Sequence, residues 1–447
     1  MNSTQENFKR ITTLAIPLIF SQVGQVVVTL ADNAMIGHVG KEYLAASSFA
    51  NSIFIVIMML GMGITFGLTP LVGKAFGQKD YPKIQALFHN SIFLNTVCSI
   101  FLILIGWFVG NLMPFMGQTD RVVELAQPYY FIILISLLPM NYFFTFKQLA
   151  EGLENTKIAM VITVAGNLMN IVGNYILIYG KFGAPQMMLN GAGLSTLISR
   201  IAMMIAFVLV FRKNSLFEGY TLRFKLKEVK RSIQGKLFSI GSAIGLQMLV
   251  EGLIFSLASI MMGWIGELQL AAHQIAMSLS YFTFMISNGI AQATTIRIST
   301  LNGRKEYVKL QSAVRVSVVI TLIYSTIACM VFFLIPDTLV SIFTSEDSVI
   351  TAAATLLGMA AIYQIFDGMQ VLGLGVLRGF ADVKVPMIYA ATSYLLIGLP
   401  LAYAAAFIFK LDAIGIWSGI IAGLAFAAIL FWARVTHRLK NLHTKNI

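Results

Sequence analysis

Long apolar runs follow one another along the whole chain. Twelve stretches of about 20 or more mainly apolar residues are separated by short segments that carry most of the charge. A helix of this length crosses the roughly 30 Å hydrocarbon core of a bilayer, and no strand-like alternation competes with these runs. We therefore predict transmembrane helices at about residues 12–34, 45–72, 88–113, 128–148, 158–180, 190–211, 238–262, 270–296, 314–335, 349–376, 386–409 and 412–433.

Composition supports an all-α integral membrane protein. The chain has 447 residues, of which 57% are hydrophobic and 11% charged, and its mean hydropathy is +0.81. A soluble protein carries about 25% charged residues, so a soluble domain, a disordered chain and a nucleic-acid-binding protein are all excluded. The two cysteines, Cys98 and Cys329, lie inside apolar runs, which favours packing residues over a disulfide or a metal site.

The basic residues set the orientation of the helices. Of the 31 Lys and Arg residues, 26 fall in one set of alternate loops and four in the other, while Arg200 lies within a predicted span. Because cytoplasmic loops are enriched in Lys and Arg, both termini and the segment 212–237 are expected to be cytoplasmic.

An internal repeat divides the chain into halves. The segment GQKDYPKIQ at 77–85 matches GRKEYVKLQ at 303–311 in five of nine positions, at an offset of 226. A second pair of loops, beginning at Gly152 and Gly379, matches at an offset of 227. We predict two six-helix lobes, 1–211 and 238–447, joined by a basic cytoplasmic linker at 212–237. Six helices is an even number, so the lobes form a parallel repeat.

Three acidic residues fall at membrane depth: Asp32, Glu251 and Asp367. A carboxylate at the centre of a helix costs about 2.5–3.5 kcal/mol on the translocon scale, so each residue is a candidate functional group. Asp32, near the outer end of its helix, is also compatible with snorkelling to the headgroups. Glu251 and Asp367 lie in the middle of their spans.

Polar residues at helical spacing accompany these acids and predict two polar cavities. Those of the N-lobe are Gln22, Gln25, Thr29, Asn167, Asn170 and Asn174. Those of the C-lobe are Gln247, Tyr363, Gln364 and Gln370, with Gln274 at the start of the eighth span. Arg200 is compatible with pairing to a lobe carboxylate and equally with binding backbone carbonyls.

No enzyme motif is present in the sequence. The chain lacks a phosphate-binding glycine-rich loop followed by Lys, a His and Cys cluster with metal-ligand spacing, and the G-x-S-x-G and H-E-x-x-H signatures. We therefore predict a transporter that is not an enzyme, has no cofactor and takes its energy from an ion gradient.

Four segments resemble a known family along the whole chain: LADNAMIGHVG from Leu30, MNIVGNYILIYGKFGAP from Met169, AAHQIAMSLS from Ala271, and IYQIFDGMQVLGLGVLRGFAD from Ile362. They are similar to the multidrug and toxic compound extrusion (MATE) family, in its NorM-like branch. The resemblance implies the MATE/MOP-type fold and the export of organic, often cationic and amphipathic, compounds in exchange for Na⁺ or H⁺. It also implies a monomer in a bacterial cytoplasmic (inner) membrane.

The resemblance also assigns residues. Glu251, Asp367 and Tyr363 correspond to the cation site of the C-lobe, and no metal other than Na⁺ is implied. Asp32 corresponds to the N-lobe acid, beside Asn170 and Asn174, and Thr196 is a further hydroxyl candidate. The family's other branch commonly has an aspartate where Asn174 stands, which shifts the expected ion site toward the C-lobe.

The alternative function is a lipid-linked oligosaccharide flippase, which shares this general architecture. Such proteins often have more helices and a cationic cavity, whereas Arg200 is the one basic residue assigned to a span here. The sequence does not discriminate between Na⁺ and H⁺, because the same carboxylates serve either ion.

Overall fold

The computed structural model describes residues 3–222 and 228–443, and this part of the chain is almost entirely helical. Residues 223–227 of the predicted linker lie outside it. The long helices are α1 at Ser3–Val39, α2 at Lys41–Gly77, α3 at Tyr81–Asn111, α4 at Asp120–Gly152, α5 at Lys157–Tyr179, α6 at Met188–Lys213, α7 at Arg231–Ile265, α8 at Glu267–Arg304, α9 at Tyr307–Leu334, α10 at Asp347–Gly379, α11 at Lys384–Ile408 and α12 at Asp412–His443. Short helices lie at Met113–Phe115, Ser215–Phe217 and Pro336–Ser341.

The predicted twelve-helix membrane fold is confirmed. Eleven helices in the described ranges are long and apolar enough to cross a membrane, and α8 is the twelfth. Although α8 has 38 residues, it is more polar than the others because it carries internal hydroxyls. Thr294 donates to Ser317 and Thr295 to the Gly375 carbonyl, so these groups are satisfied within the protein rather than exposed to lipid.

Several helices extend beyond their predicted ends. For example, α1 begins at Ser3 rather than near residue 12, and α8 ends at Arg304 rather than near residue 296. These extra turns are polar, so hydropathy does not detect them. Three helices are also irregular: α2 breaks at Gly67, α4 breaks at Ser136, and α11 contains π-helical turns at Thr392–Gly398 and Ala404–Ile408.

The repeat is visible in the backbone. Lys79 and Lys305, 226 positions apart, both adopt a left-handed conformation, with φ of 57° and 60°. Glu154 and Ala381, 227 positions apart, do the same, with φ of 60° and 57°. Left-handed backbone is uncommon for residues other than glycine, so its recurrence at both predicted offsets shows that the loops fold alike.

The chain packs into two units that cross the predicted lobe boundaries at 211 and 238. One unit is Phe20–Gly245, and the other combines the residues up to Ile19 with those from Leu246 onward. In the first unit, α7 crosses α2 so closely that a Cβ on Gly63 would lie 2.2 Å from the Cα of Gly245. In the second, a Cβ on Gly289 would lie 3.1 Å from the backbone nitrogen of Ile19. The repeat offset of 226 relates these two crossings, since it maps Gly63 onto Gly289 and Ile19 onto Gly245. The first unit therefore contains the first half of α7, which belongs to the second repeat, and the second unit contains the first half of α1, which belongs to the first repeat.

The described part of the linker folds onto the first unit. Phe217 is 2% exposed and stacks on Phe211, with 4.9 Å between ring centroids. The backbone nitrogen of Thr221 donates to the side chain of Gln85 at 2.8 Å. This aromatic anchor fixes the chain where it leaves α6.

Helix α10 is central to the second unit. It packs against α8, α9 and α12, and the fully buried Trp417 and Leu357 belong to the core between them. Because α10 is enclosed on several sides, the polar side chains of Gln364, Asp367 and Gln370 are buried in protein. This enclosure positions the candidate site.

Candidate functional site

Two glutamine side chains hold Glu251 in the second unit. Gln247 lies one turn before Glu251 on α7, and its Nε2 donates to Glu251 Oε1 at 3.0 Å. Gln370, on α10, donates through Nε2 to the same oxygen at 3.0 Å. Gln247 is completely buried and Gln370 is 2% exposed, so the structure brings together three of the predicted C-lobe residues.

Asp367 is the second carboxylate of this cluster, and only one of its two oxygens has a hydrogen-bond partner among the described residues. Tyr363 Oη donates to Asp367 Oδ1 at 3.3 Å, while Asp367 Oδ2 is buried and has no hydrogen-bond partner among the described residues. Gln364 Nε2 is likewise buried without a partner in that part of the chain. The Tyr363 ring packs edge-on against Trp417 and Phe255, with centroid separations of 5.9 and 6.4 Å. This packing fixes the position of the Tyr363 hydroxyl that donates to Asp367.

Arg378 also belongs to this cluster. The sequence pattern did not predict this, because Arg378 was counted among the 26 basic residues of the loops expected to be cytoplasmic. Its Nη2 donates to Gln247 Oε1 at 3.4 Å, and it is close enough to Glu251 for their charges to interact. The spacing indicates that Arg378 shares a helix face with Asp367, because it follows Asp367 by eleven residues. Eleven residues are three helical turns and therefore return to the same face.

A second polar cluster lies in the first unit, where the structure joins α1, α5 and α6. Asn174 Nδ2 donates to Asp32 Oδ1 at 2.5 Å and to Asn170 Oδ1 at 3.4 Å. Asn170 Nδ2 in turn donates to Thr196 Oγ1 at 3.2 Å. The residues assigned to the N-lobe acid and its neighbours therefore form one connected chain.

The other N-lobe candidates do not join this chain of hydrogen bonds in the described residues. Thr29 is exposed, and its hydroxyl donates to the backbone carbonyl of Gln25 on its own helix at 3.1 Å. Gln22 is buried. Asn167 Nδ2 is buried without a partner among the described residues, at a point where α1 passes close to α5. None of these four has a described hydrogen bond to Asp32, so their role stays a prediction.

Gln274 does not join the cluster formed by Glu251, Asp367 and their neighbours in the second unit. It is exposed near the start of α8, and its backbone carbonyl accepts a hydrogen bond from Ser278. Its assignment to the polar cavity likewise stays a prediction.

Arg200 binds a side chain of its own unit rather than backbone carbonyls. Its Nη1 donates to Ser136 Oγ at 2.5 Å, and the guanidinium lies over the Phe54 ring, 5.4 Å from the centroid. Its charge also interacts with that of Asp32. Pairing of the partly buried Arg200 with the Asp32 carboxylate therefore stays a prediction.

Comparison with known proteins identifies the family. The family model described as MatE matches residues 17–176 and again residues 243–404. The chain belongs to the MATE family. The two matches begin 226 residues apart, which is the offset of the internal repeat, so the predicted MATE-type two-lobe repeat is confirmed.

Curated MATE relatives cover nearly the entire chain. A protein of Photorhabdus laumondii is 29% identical over 100% of this chain and 99% of its own. A protein of Agrobacterium fabrum is 30% identical over 96% and 93%. Each bears the name "Probable multidrug resistance protein NorM". These relatives confirm the resemblance to the NorM-like branch.

A solved structure has the same fold. The Vibrio cholerae MATE transporter VcmN in the bent form superposes with a TM-score of 0.89 at 18% identity, covering 99% of each chain. This superposition shows the fold, while the MATE family match and the NorM-named relatives confirm that this chain is a transporter and not an enzyme. The described residues contain no group of three or more His, Cys, Asp or Glu that could hold a metal ion.

Proposed function

We propose that this MATE protein exports small organic compounds, mainly cationic and amphipathic, in exchange for Na⁺ or H⁺ held at Asp367. The observation that carries the proposal is the buried and unpartnered Oδ2 of Asp367, beside an oxygen that accepts from Tyr363. The multidrug resistance names of the NorM relatives support the substrate class.

Burial makes Asp367 a site for a monovalent cation. A carboxylate removed from water costs several kcal/mol unless a counter-charge or proton compensates it. A proton on Oδ2, or Na⁺ between that oxygen and the Tyr363 hydroxyl, supplies this compensation. Both ions are cargo of the exchange cycle, and the site chemistry accommodates either.

Exchange follows from linkage between the two cargoes. If cation binding at Asp367 favours one orientation of the transporter and substrate binding the other, each cargo promotes release of its counterpart. Moving a two-state equilibrium from 1:99 to 99:1 takes about 5.5 kcal/mol. One charge crossing 100 mV supplies about 2.3 kcal/mol, and a hundredfold concentration gradient adds about 2.7 kcal/mol. The gradient of one ion is thus of the required size.

The proposal includes the cellular setting. We propose a monomer in a bacterial cytoplasmic membrane with both termini in the cytoplasm. The distribution of basic residues between alternate loops supports the orientation of the termini. Substrate would then leave the cytoplasm as the coupling cation enters.

Efflux from proteoliposomes tests this function. Purified protein is reconstituted, ethidium is loaded, and its release is followed under a Na⁺ gradient at equal pH and, separately, under a pH gradient without Na⁺. The Asp367→Asn variant removes the proposed site. Asp347→Asn is the matched control, because it makes the same change at an exposed position on the same helix.

The outcomes separate the hypotheses. We expect one gradient to drive release by the wild type and by Asp347→Asn, but not by Asp367→Asn. Release driven by Na⁺ identifies the coupling ion as sodium, and release driven only by pH identifies it as a proton. No release under either gradient contradicts ion-coupled export and favours the flippase alternative.

A further inference from the structure

A groove between α9 and α12 lies at one end of the second unit. Its volume is about 250 Å³, and each helix lines it with three residues at positions i, i+3 and i+4, which share one helix face. On each helix these three are a polar, an aliphatic and a basic residue. From α9 they are Gln311, Val314 and Arg315, and from α12 they are Thr436, Leu439 and Lys440.

The groove combines an apolar floor with a basic rim. Val314 is 4% exposed and Leu439 is half-buried, whereas Arg315, Thr436 and Lys440 are exposed. The volume lies below the range of about 300–1,000 Å³ that is typical of sites for drug-sized ligands. The groove therefore suits a compact anion that also makes apolar contacts.

The two cations of the groove have no acidic partner among the described residues, whereas the basic residues around them do. Lys309, near the start of α9, pairs with Glu6 and Glu306 at 3.5 and 2.8 Å. Both arginines of α12 bind Asp382. All 19 acidic residues of the chain lie in the described ranges, so two positive charges remain available to an anion from outside the protein.

The sequence places the groove at the level of the lipid headgroups. Arg315 is followed by 19 uncharged residues, which continue α9 to its end at Leu334. At 1.5 Å per residue they span about 29 Å, which is the thickness of the hydrocarbon core. On α12, the 21 uncharged residues at 413–433 end about two turns before Lys440. Both cations therefore lie just outside the hydrocarbon core, at the level of the lipid phosphates.

The internal repeat adds an independent observation. The offset of 226 maps Gln85 onto Gln311, the last residue of the matching segments, and His89 onto Arg315. In the first unit, His89 Nδ1 lies 2.8 Å from Oε2 of Glu228, which belongs to the linker. This backbone position thus faces a carboxylate in the first unit. In the second unit an arginine stands there, and no described carboxylate contacts it.

We propose that the groove binds the phosphate of an anionic phospholipid. Arg315 and Lys440 contact the phosphate through charge-assisted hydrogen bonds, and the apolar part of the lipid packs beside Val314 and Leu439. A lipid with a net negative charge is favoured over a zwitterionic one, because the groove presents two cations. In the orientation proposed above, this lipid belongs to the cytoplasmic leaflet. The assignment does not depend on ion-coupled export.

Lipid titration of the purified full chain tests the proposal. Delipidated protein in a neutral maltoside detergent is titrated with phosphatidylglycerol, with phosphatidylcholine or with inorganic phosphate. Native mass spectrometry counts the bound lipids, and the thermal unfolding midpoint gives the apparent affinity. The test variant is Arg315→Gln/Lys440→Gln. The matched control is Lys9→Gln/Arg10→Gln, which removes the same two charges from exposed positions near the start of α1 in the same unit.

We expect phosphatidylglycerol to bind the wild type and raise its unfolding midpoint, while phosphatidylcholine and inorganic phosphate at the same concentrations have little effect. The test variant should bind phosphatidylglycerol about 25-fold more weakly, since each basic residue beside an anionic lipid contributes about fivefold. The control variant should keep the affinity of the wild type.

Four results overturn the proposal. Absence of phosphatidylglycerol binding, or equal binding of phosphatidylcholine, contradicts an anionic lipid site. Equal binding of inorganic phosphate identifies a site for the free anion instead. Equal affinities of the test and control variants show that the groove is not the binding site. If the test variant does not fold, Lys440→Glu decides, because it reverses an exposed charge in the last turn of α12 and should weaken binding more than Lys9→Glu does.

Discussion

Asn174 donates a hydrogen bond to the carboxylate of Asp32, with 2.5 Å between Nδ2 and Oδ1. The residues are 142 positions apart, on α5 and α1, and the bond joins these helices within one unit. The amide of Asn174 thus satisfies one oxygen of the acid on α1. A neutral donor beside Asp32 reduces the need for an external cation there, which is consistent with placing exchange in the other half.

Asn174→Ala should destabilise the protein by about 1–3 kcal/mol, because it leaves a partly buried carboxylate without its donor. Thermal unfolding in detergent measures the change. Thr29→Ala is the control, since its exposed hydroxyl bonds only to its own helix, and its midpoint should stay near that of the wild type. Equal midpoints for Asn174→Ala and the wild type would contradict the importance of this bond.

Tyr363→Phe should weaken exchange less than Asp367→Asn does. The phenylalanine keeps the packing against Trp417 and Phe255 and removes only the hydroxyl that donates to Asp367 at 3.3 Å. A hydrogen bond to a charged group contributes about 1.5–3 kcal/mol, which corresponds to about 10–150-fold in cation affinity. The cation concentration that half-saturates efflux measures this effect. An unchanged value would show that the hydroxyl takes no part in the site.

Gly63→Ala should prevent the close crossing of α2 and α7. The added Cβ would lie 2.2 Å from the Cα of Gly245, and relieving such a clash costs about 1–3 kcal/mol or more. Gly358→Ala is the matched control because nothing lies within 4 Å of its added Cβ. Thermal unfolding should show a lower midpoint for Gly63→Ala alone. Equal midpoints for both variants would refute the tight crossing.

Asp382, in the loop between α10 and α11, should stabilise the second unit in a pH-dependent way. It accepts from Arg434 Nε at 2.9 Å and from Arg438 Nε at 2.5 Å. Burial by itself would raise the pKa of the Asp382 carboxyl, but the hydrogen bonds and charges of Arg438 and Arg434 outweigh it and hold the pKa below its usual value. A lowered pKa favours the folded state above the usual value of about 3.9.

Asp382→Asn should therefore cost about 1 kcal/mol near pH 7, a modest amount because both arginines are partly exposed. The difference in unfolding midpoint between wild type and variant should persist down to about pH 4. It should then shrink as the pH falls through the lowered pKa of the folded state, since the wild-type carboxyl becomes protonated. A difference that is constant below pH 4 would argue against this charge interaction.

Part of the site was predictable because its members share a helix face or correspond to family positions. Tyr363 and Asp367 are one turn apart, as are Gln247 and Glu251, so helical spacing alone groups each pair. Spacing does not show which helices meet, and the bond from Gln370 to Glu251 appears only when α10 packs beside α7. Gln274, also expected in this cavity, is exposed at the start of α8 because the helix turns that side chain outward.

Arg378 shows why local sequence misassigns a charge. An arginine near a helix end next to a cytoplasmic loop has the pattern of a residue that orients the chain. The guanidinium donates to the amide oxygen of Gln247, 131 positions away, and local sequence contains no information on that partner.

The sequence by itself determined the membrane class, the twelve spans, the repeat and the three acids at membrane depth, because hydropathy and repeated loops are local properties of the chain. Only the tertiary structure decided that the packing units exchange the first halves of α1 and α7, that Asn174 donates to Asp32, and that Arg378 donates to Gln247. Those relationships join residues more than a hundred positions apart, and the close packing of helices, rather than any local pattern, brings them together.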